Sequence, residues 1–195
     1  MQINIDKKTG TLLGVVFVLV LALVFFFAGN TNMSMNHDGH GSMMSDEEAT
    51  GAYSDDELMF ASMMIPHHEQ AVTMSELALE NTTNPDVISL ATAIRDAQGP
   101  EIKQMQGWLA GKSESHTHDM EMGGMLTEAE LKELASLKGA AFDQMFLTAM
   151  IAHHEGALDM VSMIEDSTKP EVKKLYENIV TSQSAEIDAM KALLK

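Results

Sequence analysis

An apolar position recurs every three or four residues in four separate stretches of this chain. Phe60, Met64, His67, Ala71, Met74 and Ala78 step by 4, 3, 4, 3 and 4. That is the seam of a helix burying one face. Phe146, Met150, His153, Ala157, Met160 and Ile164 repeat those steps. Val87, Ala91, Ile94, Gln98, Glu101, Met105 and Trp108 form a third seam. Val172, Tyr176, Ile179, Gln183, Glu186, Met190 and Leu193 form a fourth. The boundaries are written in capping residues. Ser54 with Glu57 is a capping box and starts a first long helix that runs to about Glu80. Asn84 caps a second, with Pro85 at its first position, running to about Leu109. Thr127 with Glu130 is another capping box and opens a short segment that Gly139 breaks. A third long helix follows from about Ala140 to Glu165, and Pro170 opens the fourth, which runs to the C-terminus.

The seams belong to a repeat. His67 and His153 are 86 residues apart (153 − 67), and "MIPHHE" at Met64 to Glu69 recurs as "MIAHHE" at Met150 to Glu155. Pro85 then matches Pro170, with Val87, Leu90, Ile94, Gln98, Glu101, Ile102, Met105 and Leu109 matching Val172, Leu175, Ile179, Gln183, Glu186, Ile187, Met190 and Leu194. Each half is a helical hairpin, and two hairpins stack most simply as an all-α four-helix bundle. The domain is expected over 54–195, with repeat one at 54–110, a Met/His-rich loop at 111–126 and repeat two at 127–195.

Upstream, Thr11 to Ala28 is an uncharged apolar run preceded by Lys7 and Lys8. It is about long enough to span a bilayer, and no clear A-x-A cleavage site follows it. Residues 1–29 are therefore read as an uncleaved signal anchor, a transmembrane helix with its lysine end in the cytoplasm. The rest is expected on the periplasmic or extracellular side, and would be secreted if the segment were cleaved. Residues 30–53 have no hydrophobic period and read as a flexible linker.

Composition narrows the chemistry. There is no cysteine, which excludes disulfides and thiolate sites. The net charge of -17, from 29 acidic and 12 basic residues, argues against nucleic acid. Methionine is abundant at 18 residues. In a core methionine is a pliable filler, but Met33, Met35, Met43, Met44, Met120, Met122 and Met125 lie in polar loops with no core to fill. With His37, His40, His116 and His118 they read as accessory metal capture.

The seam itself holds polar residues that burial penalises unless they are paired or ligated. Counting back from the first turn sets His67 level with Gln98 and Met64 level with Glu101. The second hairpin sets His153 with Gln183 and Met150 with Glu186. Two-fold stacking brings the two layers together. His68 and His154, rotated by roughly 100° from the seam, are expected to reach the same site from its flank. The expected metal ligands are Met64, His67, His68, Met74, Met150, His153, His154 and Met160. Gln98, Glu101, Met105, Gln183, Glu186 and Met190 are possible ligands or supports. Glu69 and Glu155 either orient a histidine or are solvated charges. Pro66, where the second copy has Ala152, is expected to kink the first helix beside the site.

"MIPHHEQAVTM" and "MIAHHEGALDM", with "GAAFDQMFLTAM" before the second, resemble the domain-of-unknown-function 305 family over about Ser54 to Lys195. The resemblance implies a ferritin-like four-helix bundle. It also implies, from exported copper-resistance members, binding of copper and in some cases silver.

Three functions follow from the residues. Methionine and histidine suit Cu(I) or Ag(I) handling outside the cytoplasm, with storage, detoxification or transfer to a partner protein left open. A di-iron or di-manganese oxidase would use Glu-x-x-His on two helices, but Met64 and Met150 occupy the carboxylate positions. A metal-free hydrogen-bonded network is the third. No nucleophile stands in a recognisable catalytic context, so a non-enzymatic role is expected.

Overall fold

The computed structural model describes residues 52–111 and 122–195. The apolar run at 11–28, the linker up to residue 51 and residues 112–121 of the second loop lie outside the described residues. From Ala52 onward the chain forms one compact unit. Its helices are α1 (Asp55–Asn81), α2 (Pro85–Leu109), α3 (Glu128–Ser136), α4 (Gly139–Met160) and α5 (Pro170–Leu193). A 3-10 turn, Val161–Ile164, follows α4. No strand is present among the described residues, and none of their helices is long and apolar enough to cross a membrane.

The caps form as their chemistry dictates. Ser54 Oγ accepts the Glu57 N–H at 3.2 Å while Glu57 accepts the Ser54 N–H at 2.8 Å. Thr127 and Glu130 make the same reciprocal pair at 3.3 and 2.8 Å. Asn84 Oδ1 accepts from the Asp86 N–H, with Pro85 at the first position of α2. Pro66 does not interrupt α1, which is one helix of 27 residues. Pro100 is likewise carried inside α2. The expected third long helix ends earlier, because its last turn tightens from α to 3-10 geometry at Val161. Gly139, at φ 57, is the left-handed residue that lets α4 start directly after α3.

α1 packs chiefly on α2, α4 on α5, and the two hairpins meet through α1 and α4. α3 leans on both α1 and α4. Its junction with α4 is tied to the end of α1. Asn81 Nδ2 donates to the Ala135 carbonyl, and Lys138 Nζ donates to Asn81 Oδ1. α1 has no basic residue in its last turn, so Lys138 supplies the cation from another element.

Phe60, Met64, Ala71, Met74, Ala78, Phe146, Met150 and Ala157 are all at most 1 % exposed, so the two seams do face inward. Met64, Met105, Trp108 and Met160 share one apolar cluster with Phe60 and Ile179. Removing the cap of α1 with Ser54→Ala should cost about 1 kcal/mol. A matched pair of thermal melts would read this as a lower Tm, with helix content retained.

Candidate metal centre

His67, His68, His153 and His154 are all fully buried. Their directions follow from the helical step of about 100° per residue. His67 on α1 turns toward α4 and meets His153, with ring centroids 3.7 Å apart and ring planes tilted by 36°. His68 turns instead into its own hairpin, where its Nε2 lies 2.8 Å from Glu101 Oε2 on α2. His154 does the same with Glu186 on α5, at 2.7 Å. The repeat therefore produces two carboxylate–imidazole pairs flanking one imidazole–imidazole contact.

The hairpin count levels Glu101 with Met64, but Glu101 reaches His68, about one turn further along α1. The second hairpin shifts the same way, Glu186 bonding His154. A long carboxylate side chain covers that turn. His68 and His154 are thus fully buried beside the central pair, each facing the carboxylate of its own hairpin.

The hydrogen bonds select which ring nitrogen is left bare. A carboxylate only accepts, so Nε2 of His68 and of His154 carries the hydrogen. His67 Nε2 lies 3.2 Å from the Gly123 carbonyl, again an acceptor. In all three rings Nδ1 has no hydrogen-bond partner, and in His153 neither ring nitrogen has one. A histidine whose far N–H is held by a carboxylate or carbonyl, with its other nitrogen free, is the usual form of a metal ligand. The Gln98 carboxamide and Gln183 Oε1 are also buried without partners. Each such atom costs about 1–3 kcal/mol if nothing meets it.

Burial also keeps the central pair uncharged. It drives His67 from its ordinary 6.5 down to about 4, with the neighbouring His68 and His154 adding to the effect and the Gly123 carbonyl opposing it. It drives His153 to about 2, helped by His67, His154 and His68. The His67 backbone pulls slightly the other way without reaching hydrogen-bond geometry. Both rings are therefore neutral and carry lone pairs at pH 7.

Among the thioethers, Met64 and Met150 are fully buried one turn before His67 and His153. Met74 and Met160 stand seven residues beyond the histidines, about 10 Å along the helix axis at 1.5 Å per residue. Met160 lies in the apolar cluster around Phe60. Met105 and Met190 are fully buried. Glu69 and Glu155 are exposed, and Glu155 accepts an ion pair from Lys191 Nζ at 2.9 Å. They are surface charges. Of the loop residues, Met122 packs against the apolar cluster and Met125 is half-buried. Met33, Met35, His37, His40, Met43, Met44, His116, His118 and Met120 lie outside the described residues. Among the described residues no three His, Asp or Glu side chains converge as a metal-binding group.

The seam periodicity leaves out Gln70, Gly123, Gly124 and Gly156. Residues 122–126 lie across the layer. Gln70 Nε2 donates to the Leu126 carbonyl at 2.9 Å, and the Leu126 N–H donates to Gln70 Oε1 at 2.7 Å. A Cβ at Gly124 would collide with the Ala152 carbonyl, and one at Gly156 with the Gly123 carbonyl. A signal existed in the repeat, since Gln70 aligns with Gly156 (156 − 70 = 86) and so breaks it.

The depressed histidines make stability depend on pH. The unfolded chain protonates near 6.5, and the folded rings only near 4 and 2. Between those values the unfolded state binds more protons, so stability rises with pH. The metal-free protein should be fully stable above about pH 6.5 and lose stability as pH falls toward 4. Urea unfolding across that range checks this, and His153→Gln should flatten the slope.

The fold recurs in known proteins. A crystal structure of a DUF305 protein from Streptomyces coelicolor matches with a TM-score of 0.66 and 32% identity, covering 71% of this chain and 91% of that one. CopM in its Cu(II)-bound form matches with a TM-score of 0.61 and 34% identity, covering 71% of this chain and 95% of that one. CopM has also been solved bound to Cu(I), and to silver, with 35% and 32% identity. An uncharacterized protein of Acanthamoeba polyphaga mimivirus is 40% identical over 60 residues, a match spanning 31% of this chain and 39% of that relative. The model of the family described as Domain of unknown function (DUF305) matches residues 57–194. The chain belongs to the DUF305 family.

Proposed function

We propose that this protein binds Cu(I), and Ag(I) in its place, as cargo in the buried layer where its two hairpins meet. The observation that carries the reading is the set of unpartnered ring nitrogens on four buried histidines, three of them with Nε2 held by an acceptor. Neutral imidazole nitrogens and the thioethers of Met64 and Met150 together form a soft donor set. Glu101 and Glu186 orient His68 and His154 and offset the charge of a bound cation. Met74 and Met160 serve packing in this reading, and the Met/His-rich stretches at 30–53 and 111–126 capture metal before it reaches the core. Copper- and silver-bound CopM supports the choice of metal.

The role is carriage rather than catalysis. The chain holds its domain outside the cytoplasm on the apolar anchor at 1–29 and handles copper for resistance or for transfer to a partner protein. The di-iron alternative is disfavoured by the thioethers at 64 and 150, and by the absence of a convergent carboxylate–histidine group among the described residues.

Anaerobic titration of the full chain with Cu(I), against a chromogenic chelator, tests this. His67→Ala combined with His153→Ala should weaken core binding by at least the 10- to 100-fold that even outer-shell losses cause, as an order of magnitude. Affinity unchanged by the double substitution would sink the core site. Deleting 33–44 should lower the number of ions bound and leave the tightest class intact. Iron uptake with oxygen consumption would favour the oxidase instead.

A further inference from the structure

The two halves of the repeat diverge where one segment crosses the site. Gln70 in α1 corresponds to Gly156 in α4. The divergence is complementary. Gln70 grips both main-chain groups of Leu126, while Gly156 leaves room for the Gly123 backbone. Gly124, at φ 79, supplies the left-handed turn between them. The outcome is a carbonyl, that of Gly123, placed 3.2 Å from His67 Nε2. His153, the partner ring, receives no such bond.

We propose that Gln70 is a positioning residue for the metal layer: by clamping Leu126 it seats the Gly123 carbonyl on His67 and fixes which nitrogen that ring offers. The clamp sets His67 in the Nε2–H form with Nδ1 as the donor. His153 is left free to turn and present either nitrogen. One fixed and one adaptable ring let the pair accept an ion between rings that otherwise stack. The primary amide suits this task because it donates to one main-chain group and accepts from the other. A carboxylate could only accept.

This inference rests on the metal reading, and its test separates the two. In the full metal-free chain labelled with 15N-histidine, ring nitrogen shifts should report a single Nε2–H form for His67 and none imposed on His153. Gln70→Ala should convert His67 to a tautomer mixture while leaving the His68 and His154 signals in place. Gln70→Glu should not restore the single form. Gly124→Ala, which displaces the same segment from the α4 side, should reproduce the mixture. Cu(I) affinity should fall about tenfold in both Gln70 variants. A His67 signal unchanged by Gln70→Ala and Gly124→Ala overturns the proposal. So does a scrambled tautomer with affinity unaltered. Wild-type protein that takes up no Cu(I) overturns the metal reading, and the tautomer result then still decides whether Gln70 governs His67.

Discussion

The rest of the molecule is arranged around two uncharged imidazoles packed against each other between hairpins. A histidine pair with centroids 3.7 Å apart tolerates no charge on either ring. Full burial enforces that condition by penalising the protonated form. Once His67 and His153 are neutral, their neighbours are constrained in turn. His68 and His154 must turn away into their own hairpins. There each finds a carboxylate, and the layer extends from α2 to α5. The apolar seams above and below bury this polar layer away from bulk solvent.

A buried layer of this kind is expensive unless something meets its bare nitrogens. That is why the hydrogen-bond inventory is more informative than the donor list. Here Nδ1 is unpartnered on three rings while Nε2 of each is held by an acceptor. The pattern is the same in both repeats for the carboxylate-bound pair. It differs for the central pair, where only His67 is pinned. The doubled motif gives a pseudo-symmetric histidine layer, and the segment at 122–126 breaks its symmetry by reaching only His67.

Much of this was legible beforehand. The caps at Ser54, Asn84 and Thr127 marked helix starts because orphan N–H groups need acceptors nearby in sequence, which makes capping local. The seam steps identified the buried faces for a similar reason. The 86-residue offset established two hairpins and led to the expectation that their polar layers stack close together; the direct contact of His67 with His153 came from the structure. Where the count misled, it did so through side-chain length. Glu101 and Glu186 span a turn that Cα levels cannot register. Gln70, Gly123 and Gly124 were invisible to periodicity because their roles depend on a loop that has no period.

The sequence by itself determined the helices, the repeat, and which histidines and carboxylates stand on the buried seams of a cysteine-free, methionine-rich chain. These follow from local propensity and from spacing along one helix. Only the tertiary structure decided which nitrogen His67, His68 and His154 leave bare, and that Glu69 and Glu155 face solvent while Glu101 and Glu186 bond His68 and His154. Those outcomes depend on distances between helices and on the direction of individual bonds. A hydrogen bond falls off within tenths of an ångström, and no one-dimensional pattern carries that precision.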